Sequence, residues 1–227
     1  VNDNNRTKYV VGVDPGLDGG IAAIELGPIG EPVSVDVIRM PTKPGPVGRR
    51  DVDGAAVGAF FNHIHHCGIV LCAAVESVHA MPKQGVTSAF NFGKGYGKIL
   101  GIIESLDIPL DEPTPQQWQK LVLAGMKTKV KKKPKTKGKG GATKSNTDRR
   151  DKDISIRFVL NQFPHVNLKA TDRSTTLHDG MAEAVCIAEY ARRNTLLPMG
   201  GRFPLSPTYA NTPQRVLDGY TLEEVPP

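Results

Sequence analysis

Cysteine is scarce in this chain. Cys67, Cys72 and Cys186 form no CxxC pair and leave one partner over, which argues against a disulfide framework. Each stands in an apolar segment, where a free thiol is expected to pack. No apolar run approaches the roughly 20 residues that span a bilayer. The first eight residues, Val1 to Lys8, lack the apolar stretch of a secretory signal. These absences predict a cytoplasmic protein with no membrane partner. At 227 residues the chain is long enough for one well-buried core with room for tails or an insert.

Positive charge is plentiful but unevenly spread. Between Lys127 and Arg150 stand eleven Lys or Arg against one acid, Asp148, so a net charge of +6 leaves the remainder mildly acidic. One basic segment, including Lys131, Lys132 and Lys133, on such a body points to a polyanion, most simply nucleic acid. A solvated loop without a partner has the same composition.

Along the chain, residues 9–14 read as a buried strand, 20–26 as a second, and 33–40 as a third with Val33, Val35 and Val37 inward. A Pro/Gly-rich loop is expected over 41–48. Asp51 or Asp53 can cap a helix through about His66, stopped by Gly68. The wholly apolar run 69–76 predicts a central strand. A helix over about 87–106 follows. Its Gly93, Gly97 and Gly101 share one face, which predicts that a helix, a second subunit or nucleic acid approaches closely there. A short strand over 110–114 leads to a helix opened by Pro115. Residues 126–150 predict a mobile basic loop, and helices follow from Ile154 and from Asp179 to Arg193. The chain thus divides into a disordered start (1–8), one α/β domain (9–194) and a Pro-rich extended tail (195–227). Strand order and helix placement predict a mixed five-stranded sheet flanked by helices, the element order of the ribonuclease-H-like fold.

Four acids fall where apolar elements surface. Asp14 ends Tyr9-Val10-Val11-Gly12-Val13, and Glu76 ends Ile69-Val70-Leu71-Cys72-Ala73-Ala74-Val75. Asp179 and Glu183 stand four apart and so share a helix face. Carboxylates on rigid elements suit hard divalent cations, which take oxygen ligands. Two ions about 3.5–4 Å apart serve both ends of a phosphodiester hydrolysis. Taken singly, Asp14 also suits a turn, Glu76 a strand end, Asp179 a helix cap and Glu183 a helix surface.

Together these motifs resemble the RuvC-like Holliday-junction resolvases, in particular their phage-type branch. Val11-Gly12-Val13-Asp14-Pro15-Gly16 is similar to the family's first acidic motif and Ala74-Val75-Glu76-Ser77-Val78 to its second. Met81-Pro82-Lys83-Gln84-Gly85 with Phe90-Asn91-Phe92-Gly93-Lys94-Gly95-Tyr96-Gly97 resembles the loop and glycine-rich helix of that branch. Thr114-Pro115-Gln116-Gln117-Trp118-Gln119-Lys120 is similar to the next helix, and His178-Asp179-Gly180-Met181-Ala182-Glu183-Ala184 to the final motif. The resemblance spans roughly residues 9–193. It implies that Asp14, Glu76, Asp179 and Glu183 hold two Mg²⁺ or Mn²⁺ ions, and that a homodimer cuts four-way or other branched DNA to 5′-phosphate and 3′-hydroxyl ends. It also implies DNA contacts from Lys120 and Lys152. Two features depart from the pattern: the last acid is Glu183 where the family has Asp, and the basic insert is long.

Other signals fit the same frame. Lys94, Lys98 and Tyr96 are candidates for DNA phosphate or base contacts, although Gly93 to Lys98 lacks the spacing of a phosphate loop. His178 is a candidate for orienting water or phosphate. His63, His65, His66 and Cys67 lack a second ligand pair and read as a surface helix. The alternatives are a non-catalytic DNA-binding or packaging protein on this fold, and a phosphotransferase of the actin-like or sugar-kinase type, for which the chain is short.

Overall fold

The computed structural model describes residues 6–45, 48–79, 85–126 and 146–196, with 146–153 and 196 followed as main chain only. The chain begins with β1 (Lys8–Asp14), β2 (Gly20–Leu26) and β3 (Pro32–Arg39). A short ribbon of β4 (Thr42–Pro44) and β5 (Arg50–Val52) leads to α1 (Gly54–Cys67) and β6 (Ile69–Val75). After α2 (Val86–Ser105) come β7 (Leu110–Asp111), α3 (Pro115–Val122), α4 (Asn146–Gln162) and α5 (Asp179–Leu196).

The main sheet has the order β3-β2-β1-β6-β7. β1 pairs antiparallel with β2 and parallel with β6, β2 pairs antiparallel with β3, and β6 pairs parallel with β7. This is the mixed, helix-flanked α/β sheet of ribonuclease-H-like topology that the element order predicts.

Period-two alternation sorts the strands onto two cores. Tyr9, Val11 and Val13 of β1 face Phe61 and Ile64 of α1 and Ile99 and Ile103 of α2. Val10 of β1 and Ala74 of β6 face the opposite core, with Trp118 of α3, Phe158 of α4 and Val185 and Ile187 of α5. β1 and β6 are buried on both faces, as interior strands of an α/β sheet must be.

Local signals explain the helix starts. Asp53 caps α1 by accepting from Ala55 N at 3.2 Å. α3 opens with a full capping box between Thr114 and Gln117, with Pro115 in its first turn.

The structure corrects several expectations. Val33 is 61% exposed, because it lies near the end of an edge strand, and only Val35 and Val37 pack inward. The segment expected as a loop over 41–48 contributes β4, whose pairing with β5 runs Thr42↔Val52, Lys43↔Asp51 and Pro44↔Arg50. Helix α4 begins at Asn146, inside the segment expected to be mobile. Cys67 is exposed, while Cys72 and Cys186 are buried. No helix among the described residues is long and apolar enough to cross a membrane. Lys131, Lys132, Lys133, the Met81-Pro82-Lys83-Gln84 part of the α2 loop motif and the Pro-rich tail lie outside the described residues, as does the side chain of Lys152.

Candidate active site

The first two acids follow from one register. β1 and β6 run parallel with Val13 opposite Val75, so Asp14 closes one strand and Glu76 follows directly on its neighbour. Glu76 N donates to Val13 O at 3.0 Å, and Ser77 N donates to Pro113 O at 2.8 Å. Alternation places Asp14 on the same side of β1 as Val10 and Gly12, and Glu76 on the same side of β6 as Ala74. That side carries α5.

Helix α5 comes unusually close to these strand ends. A Cβ on Gly12 would lie 2.1 Å from Ala188 N and 2.4 Å from Ala184 O, so the helix backbone rests directly on β1. A Cβ on Gly180 would lie 2.2 Å from Asp18 O, in the turn that follows Asp14. Residues 180, 184 and 188 thus form the row against the sheet. Asp179 and Glu183 form the adjacent row, each half-buried.

Each acid has a described hydrogen-bond partner or interaction. Asp14 Oδ1 accepts from Gly16 N at 3.2 Å, and Asp179 Oδ1 accepts from Gly180 N at 3.0 Å. Glu76 Oε1 accepts from the indole Nε1–H of Trp118 at 2.8 Å. Burial pushes the Glu76 carboxyl above its usual range, and the indole offsets part of that rise. The Tyr96 hydroxyl, which donates to Glu112, is pushed up by burial first, then by that bond and by the charges of Glu112 and Glu76.

His178 sits at the mouth of α5. Its Nδ1 accepts from Met181 N at 3.2 Å, so the neutral ring carries its proton on Nε2. A capping role is therefore visible for it. Lys94 and Lys98 both reach Asp51 Oδ2 at 2.9 Å, and these two lysines hold the Asp51 carboxyl down at about 2. Lys120 is exposed on α3, two residues beyond Trp118. His63 Nε2 and Cys67 Sγ approach to 3.8 Å on the outer face of α1.

The donor chemistry suits a hard divalent cation, since all four acids offer only oxygen. Their elements also meet at one end of the sheet. Among the described residues no group of three or more His, Cys, Asp or Glu stands close enough to hold a metal ion. Backbone placement and donor type fit Mg²⁺ or Mn²⁺.

Residue patterns gave no warning of three partners. Trp118 holds Glu76 from a separate helix; the resemblance of Thr114 to Lys120 marked its helix but not this contact. Asp18 fixes the turn after Asp14 by pairing with Arg39 at 2.7 Å and Arg50 at 2.9 Å, and those guanidinium groups, Arg50 first, lower its pKa. Asp51 was expected only as a possible helix cap.

No family model matches the chain, and no curated protein matches it in sequence. Among solved structures, the chain is similar to Thermus thermophilus RuvC in complex with a Holliday junction substrate, at 15% identity and a TM-score of 0.48. That match covers 87% of this chain and 99% of the other. The T. thermophilus RuvC structure without a named substrate matches at 15% identity and a TM-score of 0.44, with the same coverage.

Proposed function

We propose that this protein is a structure-selective endonuclease that cleaves Holliday junctions or other branched DNA by two-metal-ion hydrolysis, leaving 5′-phosphate and 3′-hydroxyl ends. The reading is supported by one observation above the rest. Asp14 and Glu76, 62 residues apart in sequence, end adjacent parallel strands on the side covered by the helix that bears Asp179 and Glu183. The motif resemblance at Asp14, Glu76 and Asp179 supports the same assignment, with Glu183 standing where the family has Asp.

The residues at the site have separable tasks. Asp14, Glu76, Asp179 and Glu183 would hold two Mg²⁺ or Mn²⁺ ions. When bound, such a pair polarises the attacking water and neutralises the leaving oxygen. Trp118 keeps one Glu76 oxygen oriented while the other remains available. Gly12 and Gly180 allow α5 to lie against the strand ends. His178 fixes the start of α5 through Met181 N. Lys120, which is exposed, together with Lys152 and the basic insert would supply salt-sensitive DNA affinity, and selectivity would come from a homodimer matched to the shape and deformability of a junction.

A second reading is a DNA-binding protein that keeps the fold without turnover. It is kept in view by Glu183, where the resembled family has Asp, and by the long basic insert. One experiment separates the two: cleavage of a synthetic four-way junction against linear duplex in Mg²⁺, with Asp14→Asn and Glu76→Gln controls. Cleavage of the junction that both substitutions abolish is the expected result. Tight junction binding without cleavage in any divalent cation would leave the second reading standing.

A further inference from the structure

A cleft of about 870 Å³ opens beside the carboxylate end of the sheet, between the β4–β5 ribbon and the first half of α2. Its inner wall starts at Pro15 and Leu17, in the turn that directly follows Asp14. The cleft therefore begins one residue along the chain from the first acid.

The lining has the chemistry of a phosphodiester strand. Arg49, Arg50 and Lys94 face it with one carboxylate, Asp51. Arg50 is shared with Asp18, whereas Arg49 pairs with no carboxylate among the described residues. Asn91 offers an amide of the kind that bonds base edges, and Phe92 offers a half-buried ring on which a base can stack. Cations for the backbone beside an aromatic platform is the pattern of single-strand binding sites.

Size selects among nucleic acids. The cleft has the volume of a small-ligand pocket, too little to enclose both strands of a double helix. A few unpaired nucleotides fit, and a duplex does not. Asp51 then has a role beyond holding the ribbon. It occupies both Lys94 and Lys98 at 2.9 Å, so an arriving phosphate must compete with it.

From this geometry we infer that the ribbon–α2 cleft binds an unpaired stretch of DNA strand next to the hydrolytic site, with Asp51 as the internal counter-ion that limits its affinity. The inference rests on the nuclease reading for its direction, since the strand is taken to run toward Asp14. It gives the ribbon a function and gives a reason why branched DNA, with unpaired nucleotides at its crossover, is favoured over linear duplex.

The test uses the full chain in EDTA, so that nothing is cut, and fluorescence anisotropy with a labelled short oligothymidylate or a blunt duplex. Arg49→Ala and Phe92→Ala should each weaken the oligomer about fivefold or more, with little change on the duplex. Arg49 is exposed, so its substitution leaves the core untouched. Asp51→Asn should tighten the oligomer, because two lysines lose their carboxylate partner. Unchanged oligomer binding in both Ala variants, an equal loss on duplex, or weaker binding by Asp51→Asn overturns the proposal. So does full displacement of the oligomer by inorganic phosphate alone, which would mark a small-anion site. Junction cleavage in Mg²⁺ is measured in parallel. A wild type that cuts junctions while the variants bind the oligomer normally sinks only the cleft. A wild type that never cuts, but loses the oligomer with Arg49→Ala, sinks only the nuclease reading.

Discussion

The indole of Trp118, 1% exposed, donates its Nε1–H to Glu76 Oε1 across 2.8 Å. Hydrogen bonds to charged groups contribute about 1.5–3 kcal/mol. Trp118→Phe keeps most of the apolar volume and removes only the donor. Junction cleavage by this variant is expected to fall roughly tenfold or more, with the larger part of the loss in kcat. Because Trp118 is the only tryptophan, Mn²⁺ bound at Glu76 should quench the fluorescence of the wild type. Glu76→Gln should suppress that quenching. Quenching that survives Glu76→Gln unchanged would remove Glu76 from the metal site.

Glu76 also predicts how the metal-free protein responds to pH. Its carboxyl is raised by burial despite the indole. A raised carboxyl binds its proton more tightly in the folded than in the unfolded state. Its stabilising contribution is therefore complete below the ordinary glutamate value of about 4.3 and is lost as pH climbs through the raised one. At pH 7 the buried charge is a cost. Glu76→Gln should raise the Tm of the metal-free protein near neutrality, and the difference should vanish in acid. Thermal melts at the two ends of that range, with chelator present, check the sign.

Two glycines set the approach of α5. At Gly12 an added methyl group would meet the main chain of Ala184 and Ala188, and at Gly180 that of Asp18. Backbone cannot move aside as a flexible side chain can. Gly12→Ala and Gly180→Ala should each destabilise by about 1–3 kcal/mol or more, seen as a lowered denaturation midpoint. Gly180→Ala should also cut activity beyond its effect on stability, since it pushes Asp179 away from Asp14. By contrast, Gly97→Ala meets nothing within 4 Å among the described residues and relieves a helix-interior glycine. It should stabilise the monomer by up to about 1 kcal/mol, unless a second subunit covers that face.

How far the fold could be read ahead depended on whether a signal was local. Asp53 and the Thr114–Gln117 pair cap their helices through neighbours two or three residues away, and unbroken apolar runs marked β1 and β6 as buried strands without knowledge of their partners. The β4–β5 ribbon escaped because three-residue strands containing Pro44 carry no alternation to detect. Helix α4 was placed late because its opening turns, Asn146 to Asp153, are polar, and apolar periodicity starts only at Ile154. Among the described residues nothing comes within 4 Å of a Cβ at Gly93, Gly97 or Gly101, and the close approach along α2 is at Gly95, where a Cβ would stand 3.0 Å from Val52 Cγ2. Gly95 lies on the face that also buries Ile99 and Ile103, and the other three do not. For the candidate site, the positions of the acids at element ends were legible. Trp118 on Glu76 and Asp51 on Lys94 and Lys98 join residues more than forty positions apart, and no local pattern encodes such pairs.

The basic insert gives the last prediction, and the start of α4 defines how to test it. Residues 127–145 carry nine lysines and no acid, and the helix that packs Ile154, Phe158 and Val159 into the core begins at Asn146. A deletion through Arg150 would remove the first turn of that helix and confound affinity with folding. Replacing 127–145 by a short Gly/Ser linker spares it. Each phosphate neutralised releases counterions, so the slope of log K against log salt falls by about 0.9 per contact on duplex DNA. The linker variant should lose several units of that slope and bind junctions more weakly in low salt, while its Tm stays close to wild type. An unchanged slope would assign DNA affinity to the folded body alone, with Lys120 and the cleft cations carrying it.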